Sequence, residues 1–231
     1  MALIVCSMMQ YLTVQVEQMR SDDHAALMVV KAVKGRPTGG MPRSMTFQGE
    51  SFSFGPSNPE RAIDLWAAWT VNLLERAISK GPIVLVPVPN TAAVHGEVDD
   101  FATADRARRV AARGGERYSV ATELWFNKAM TPSSQGGPRF PSLIYPHLLF
   151  QASVVEGTRV LVDDVFTTGG HLRACAARLR DNNASAALAV CCGRTTHYQL
   201  ENPFSVPVEK LPDFDPNDPT GLAADFPDVP F

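Results

Sequence analysis

The chain has 231 residues, 45% of them apolar, and a formal charge of −3, enough to bury a full core in one ordinary domain plus appendages. Residues 201–231 hold seven acids against Lys210 alone, a charge of −6 that leaves +3 on the rest. A body so mildly basic suits a small anionic ligand, and it disfavours a long nucleic acid partner without excluding one.

Two β-rich runs, 11–19 and 25–33, flank the polar Ser21-Asp22-Asp23-His24 and predict a hairpin. A third strand is predicted near 44–54, so that residues 1–57 form a small β cap, or hood, on a core of residues 58–200, with 201–231 as an acidic, proline-rich tail. Asn58-Pro59-Glu60 is a helix start, Asn serving as a side-chain cap. Residues Ile63, Trp66, Thr70, Leu74 and Ala77 follow at helical spacing. PIVLVP over 82–87 is the continuous apolar run of a buried parallel strand. Beyond it the pattern predicts a helix over 99–113 with a basic stripe (Arg106, Arg109, Arg113, Arg117), a strand over 118–126, a loop over 127–142 and a short helix over 143–151. A strand over 159–163, a helix over 170–180 and a strand over 185–192 follow. Strands alternating with helices predict an α/β fold with a doubly wound, mainly parallel sheet. The last 25 or so residues read as extended.

Cys6, Cys175, Cys191 and Cys192 form no CxxC pair, and no histidine stands at metal-ligand spacing from them, against a zinc site or a disulfide framework. Residues 1–9 are apolar but short, and no run reaches the roughly 18 apolar residues of a membrane span. The expectation is a reduced, cytoplasmic protein with no membrane partner.

In open α/β sheets ligands bind beyond the carboxyl ends of strands. The polar residues that follow the 159–163 strand are therefore the candidate site. Adjacent acids such as Asp163-Asp164 repel unless something cationic or hydroxyl-rich is shared between them, and a ribose diol with a bound Mg²⁺ would serve. Thr167-Thr168-Gly169-Gly170 opens the next helix, where unpaired amides and the dipole favour phosphate and glycines allow close approach. The simpler alternative is a polar turn whose Asp and Thr only cap that helix.

Apolar strand, then Asp163-Asp164-Val165-Phe166-Thr167-Thr168-Gly169-Gly170-His171, resembles the phosphoribosyl pyrophosphate motif of type I phosphoribosyltransferases, and the resemblance extends over about residues 82–195. The nearest subgroup is the ComF-type, competence-associated proteins, through Lys128 and Gln135, Glu156-Gly157 and the strand closing on Gly193-Arg194. His171 stands where the family usually has Thr or Ser on the 5′-phosphate.

The resemblance implies that Val165 to His171 bind ribose 5-phosphate and that Val88, Pro89, Asn90 and Thr91 form a pyrophosphate loop. It makes 127–142 a closing loop with Lys128 and Arg139 as catalytic pyrophosphate contacts. Asp163 and Asp164 would act at the diol and meet Mg²⁺ only through the substrate. The reaction implied is transfer from phosphoribosyl pyrophosphate, or a related ribose phosphate, to a base or amine, in a chain able to form a homodimer. A non-catalytic sensor of the same ligand, or a DNA-associated regulator on the same fold, is the alternative. Trp66, Trp69 and Trp125 are read as packing residues and the cysteines as structural thiols.

Overall fold

The computed structural model describes residues 2–14 and 18–218 of the chain. In chain order they form β1 (Leu3–Leu12), α1 (Ser21–Val33), β2 (Arg43–Phe47), β3 (Glu50–Phe54), α2 (Glu60–Ala77), β4 (Ile83–Pro87) and α3 (Ala102–Gly114). There follow β5 (Tyr118–Val120), β6 (Leu124–Phe126), α4 (Pro141–Ile144), β7 (Leu148–Phe150), β8 (Thr158–Phe166), α5 (Gly170–Arg180), β9 (Ala186–Thr196) and β10 (Glu209–Leu211). The central sheet runs β10-β1-β9-β8-β4-β5, parallel throughout except for the antiparallel edge pair β1 and β10. β2 and β3 make a separate hairpin, and β6 pairs with β7.

Apolar residues coat both faces of the sheet. Ile83, Leu85, Val160 and Val162 pack with α1, α2 and α3, while Val84, Val86 and Leu161 pack with α5 and the β6–β7 pair. Strands covered on both sides read as unbroken apolar runs, as the 82–87 segment does. All four cysteines are buried thiols.

The amino-terminal region departs from expectation. Residues 25–33 are not a strand, because Ser21–Val33 is one helix with Asp22 and Asp23 in its first turn. Asp23 accepts the Arg20 amide at 2.9 Å. Ala25, Ala26, Met28, Val29, Val30, Ala32 and Val33 are all buried, so burial on nearly every side erased the helical period, and the β-branched pair Val29-Val30 mimicked a strand. The strand expected at 11–19 lies earlier, at Leu3–Leu12, and belongs to the central sheet between β9 and β10; residues 15–17 fall outside the described residues. Asn58 does not cap α2; its amide donates to the Ser53 carbonyl at 2.8 Å and ties the helix start to β3. The strand expected over 118–126 is broken into β5 and β6, and 148–150 is a strand where the short helix was expected to continue. Of the tail, 209–211 is an edge strand, and the extended reading of 219–231 lies outside the described residues.

Candidate functional site

β4 leads through α3 to β5 on one side of the sheet, whereas β8 leads through α5 to β9 on the other. The chain therefore diverges between β4 and β8, and such a switch point opens a crevice at the carboxyl ends of the strands. The register deepens it. β4 ends with the pair Pro87↔Val162, while β8 runs four residues further against β9 alone, through Asp163↔Cys191, Val165↔Gly193 and Phe166↔Arg194. Asp163 and Asp164 are thus the first two residues of β8 with no partner on the β4 side.

Three segments distant in sequence meet there. The Val88 amide donates to the Val162 carbonyl at 2.9 Å, so the 88–91 loop leaves the sheet beside the acid pair. Asn90 Oδ1 accepts the Ala92 amide at 3.0 Å and folds the loop into an Asx turn, and among the described residues the Asn90 and Thr91 amides have no protein acceptor. The Thr91 carbonyl takes the Met130 amide at 2.8 Å, anchoring the start of the 127–142 loop. The far end of that loop lies on the Thr-Gly-Gly turn. Thr168 Oγ donates to the Arg139 carbonyl at 3.2 Å, and a Cβ on Gly170 would collide with the same oxygen. One loop bridges the two candidate anion cradles.

The second cradle is the turn into α5. Gly169 sits in the left-handed region at φ 82°, and a Cβ there would lie 2.6 Å from Leu211 and 2.9 Å from Phe166. Thr167 and Thr168 are exposed. The amides of Thr168, Gly169 and His171 have no protein acceptor among the described residues, so they stand at the positive end of an 11-residue helix, an arrangement that favours an anion.

Asp163 and Asp164 are half-buried, and the Asp164 amide donates to Asp163 Oδ1 at 2.8 Å. Burial, and then the charge of Asp164, push the Asp163 carboxyl well above the usual range, with that amide and Lys34 opposing. Burial pushes the Cys175 and Cys191 thiols up, helped by the Asp163 charge. Two carboxylates held this close against apolar surroundings call for a hydroxyl-rich or cationic ligand.

A ligand-free carboxyl raised in this way favours folding below the unfolded-state value near 4 and weakens it as pH rises toward the folded value. Asp163→Asn keeps the amide contact and removes the charge. It is expected to raise the unfolding temperature of the ligand-free protein at pH 7, with the advantage vanishing as pH falls toward about 4; equal unfolding temperatures at both pH values would count against this.

The remaining expected residues are placed as follows. Val165 packs toward α1 to α3 and Phe166 lies on the opposite face, both within β8 and ahead of the turn. His171 stands edge-on to Phe126, ring centroids 6.3 Å apart, and burial lowers its pKa against the charge of Asp164. Lys128 is exposed. Arg139 is exposed too, and its guanidinium donates to the Ser133 carbonyl of its own loop at 3.1 Å. Among the described residues no three His, Cys, Asp or Glu side chains gather as a metal cluster.

Several contacts at the turn come from Arg194, named in the sequence only as the end of a strand, and from Thr195, which the sequence does not single out. Arg194 donates to the Thr167 carbonyl at 2.6 Å, and Thr167 Oγ meets Thr195 Oγ at 3.1 Å. The arginines of the basic stripe, three on α3 and Arg117 just beyond it, are engaged elsewhere. Arg109 pairs with Asp64 at 2.8 Å, Arg113 with Glu50, Arg117 with Glu75 and Arg106 with Asp105. Partners on α2 and β3 thus neutralise most of the stripe. Among the described residues no helix is long and apolar enough to cross a membrane.

No family model matches the sequence, and no curated protein matches it. Among solved structures, the chain is similar to adenine phosphoribosyltransferase from Saccharomyces cerevisiae, complexed with D-2,5-dideoxy-2,5-imino-altritol 1,6-bisphosphate and adenine, at 14% identity over 72% of this chain and 88% of that one, with a TM-score of 0.31.

Proposed function

We propose that the protein is a phosphoribosyltransferase-like enzyme that takes phosphoribosyl pyrophosphate, with Mg²⁺, and transfers its ribose 5-phosphate to a base or amine. The observation that carries this reading is the convergence of the 88–91 loop, the acid pair and the turn into α5 on the crevice between β4 and β8. Two candidate anion cradles flank a pair of carboxylates, an order that suits the diphosphate, the diol and the 5′-phosphate of that substrate. The amides of Thr168, Gly169 and His171 would bind the 5′-phosphate, those of Asn90 and Thr91 the diphosphate, and Asp163 and Asp164 the ribose diol.

In the reaction the acceptor nitrogen's lone pair forms the new bond to C1 while the C1–O bond to pyrophosphate breaks. The bonding pair leaves with pyrophosphate, and the acceptor N–H proton passes to solvent. The carboxylates offset positive charge that develops on the ring, and the 127–142 loop excludes water. Two carboxylates without a third ligand suit an ion carried in by the diphosphate, and Mg²⁺ bound in this way would neutralise the leaving group.

Isothermal titration with phosphoribosyl pyrophosphate and Mg²⁺ tests the diol assignment. The wild-type chain is expected to bind, and the Asp163→Asn, Asp164→Asn double variant to lose binding while remaining folded. Equal affinity in both would overturn it. A ligand sensor on the same loop is the second reading, favoured by the Arg139 guanidinium, which is engaged with the Ser133 carbonyl of its own loop. Release of pyrophosphate in the presence of candidate bases and amines supports the enzyme; tight binding without release supports the sensor.

A further inference from the structure

The carboxy-terminal strand reaches the phosphate turn from the far side of the sheet. In β10, Glu209, Lys210 and Leu211 pair with Val5, Ile4 and Leu3 of β1, and both β1 and β9 stand between β10 and β8. Yet Leu211, only 8% exposed, packs where a Cβ on Gly169 would have to be. Glu209 forms a two-pronged ion pair with Arg194 on β9, one contact being 3.1 Å. The same guanidinium lies 4.3 Å above the Phe166 ring and takes up the Thr167 carbonyl. In the first turn of α5, Arg173 Nε donates to the Pro212 carbonyl at 3.1 Å. Contacts from 209–212 therefore hold the start, the middle and the exit of the turn.

The chemistry of an anion cradle makes these contacts consequential. Its amides must face the ligand and its carbonyls must face away, because a carbonyl oxygen turned inward would repel phosphate. Arg194 satisfies the Thr167 carbonyl, and Glu209 holds Arg194 in place. Leu211 fills the space that Gly169 leaves, which fixes the left-handed turn.

We propose that β10 is a positioning element for phosphate binding: Glu209, acting through Arg194, and Leu211, acting on Gly169, hold the turn in its anion-binding shape. The role rests on the phosphate reading of that turn given above. Coupling of this kind is reciprocal, so a ligand that binds better when β10 is docked must also favour docking of β10.

The test uses the full chain and ribose 5-phosphate as the probe. Titration is expected to show binding to the wild-type chain that Glu209→Gln and, independently, Leu211→Ala each weaken roughly tenfold. Hydrogen exchange of the β10 amides is expected to slow by a larger factor than that of the β4 amides when ribose 5-phosphate is added to the wild-type chain, since a merely structural strand would slow only by the common factor that global stabilisation gives. If the wild-type chain binds while both variants bind equally well and β10 exchange slows no more than that of β4, the positioning role is wrong. If the wild-type chain itself fails to bind ribose 5-phosphate, the phosphate reading falls, and the positioning role with it.

Discussion

Gly169→Ala is expected to unfold at a clearly lower temperature than the wild-type chain and to lose affinity for ribose 5-phosphate. Alanine in the left-handed region costs about 1–2 kcal/mol, and Gly169 occupies that region at φ 82°. The added methyl would also lie 2.6 Å from Leu211 and 2.9 Å from Phe166, and overpacking of this kind costs about 1–3 kcal/mol. The overlap is relieved by shifting the Leu211 and Phe166 side chains or the turn, but the backbone strain is relieved only by moving the turn, which turns the Thr168 and His171 amides away from the ligand. Thermal unfolding and titration on one preparation check the two effects together. Unchanged stability and affinity would mean that the turn is looser than its contacts indicate.

The largest effect on stability is expected at Glu123, which is 0% exposed. Its carboxylate accepts from Arg159 Nε at 2.9 Å, from a second Arg159 nitrogen at 2.8 Å and from Ser153 Oγ at 2.5 Å. Glu123 directly precedes β6, which leads into the 127–142 loop, and Arg159 is the second residue of β8, which carries the acid pair, so the ion pair ties the stem of that loop to β8. Glu123→Ala leaves the mostly buried Arg159 without its counter-ion. Breaking a buried pair in this way costs about 3–5 kcal/mol, a fall of roughly 6–20 °C in unfolding temperature for a chain of this size. Glu123→Leu with Arg159→Met removes both charges and is expected to be less destabilised than Glu123→Ala alone. The reverse order in a thermal scan would show that the attraction itself, and not the stranded charge, dominates.

Much of the fold is visible in residue patterns, for identifiable reasons. β4 is an unbroken apolar run between Gly81 and Pro89, and α5 begins where Gly169-Gly170 follows a strand. Each signal is local and strong. α1 resembles a strand in sequence because burial on most sides of the helix leaves no polar face to reveal its period. The Ala25-Ala26 pair and the two acids before it were the better guide, since alanine favours helices and acids suit their first turns.

β1 is hard to place from sequence because the apolar stretch over 3–9 is too short for a membrane span and, being almost wholly apolar, shows no strand alternation. β10 was hidden by composition: three residues in a proline-rich acidic stretch carry almost no strand signal, and only the exposed edge of β1 gives them a place. The same holds within the site. The acid pair and the Thr-Gly-Gly turn are adjacent in sequence and could be read together. The contacts that bring Thr91 to Met130, Arg139 to Gly170 and Arg194 to Thr167 join residues 27 to 39 positions apart, and they follow from the register of β8 against β4 and β9.

The central claim is that the crevice between β4 and β8 binds a phosphorylated ribose. Its most direct test is the unfolding temperature of the full chain with Mg²⁺ and phosphoribosyl pyrophosphate, against ribose 5-phosphate and against Mg²⁺ alone. A ligand present at about 100 times its dissociation constant adds roughly 2.7 kcal/mol, or about 5–11 °C for a chain of this size. The expected result is a rise of that order with phosphoribosyl pyrophosphate, a smaller one with ribose 5-phosphate, and none with Mg²⁺ alone. Identical unfolding in all three would contradict the claim.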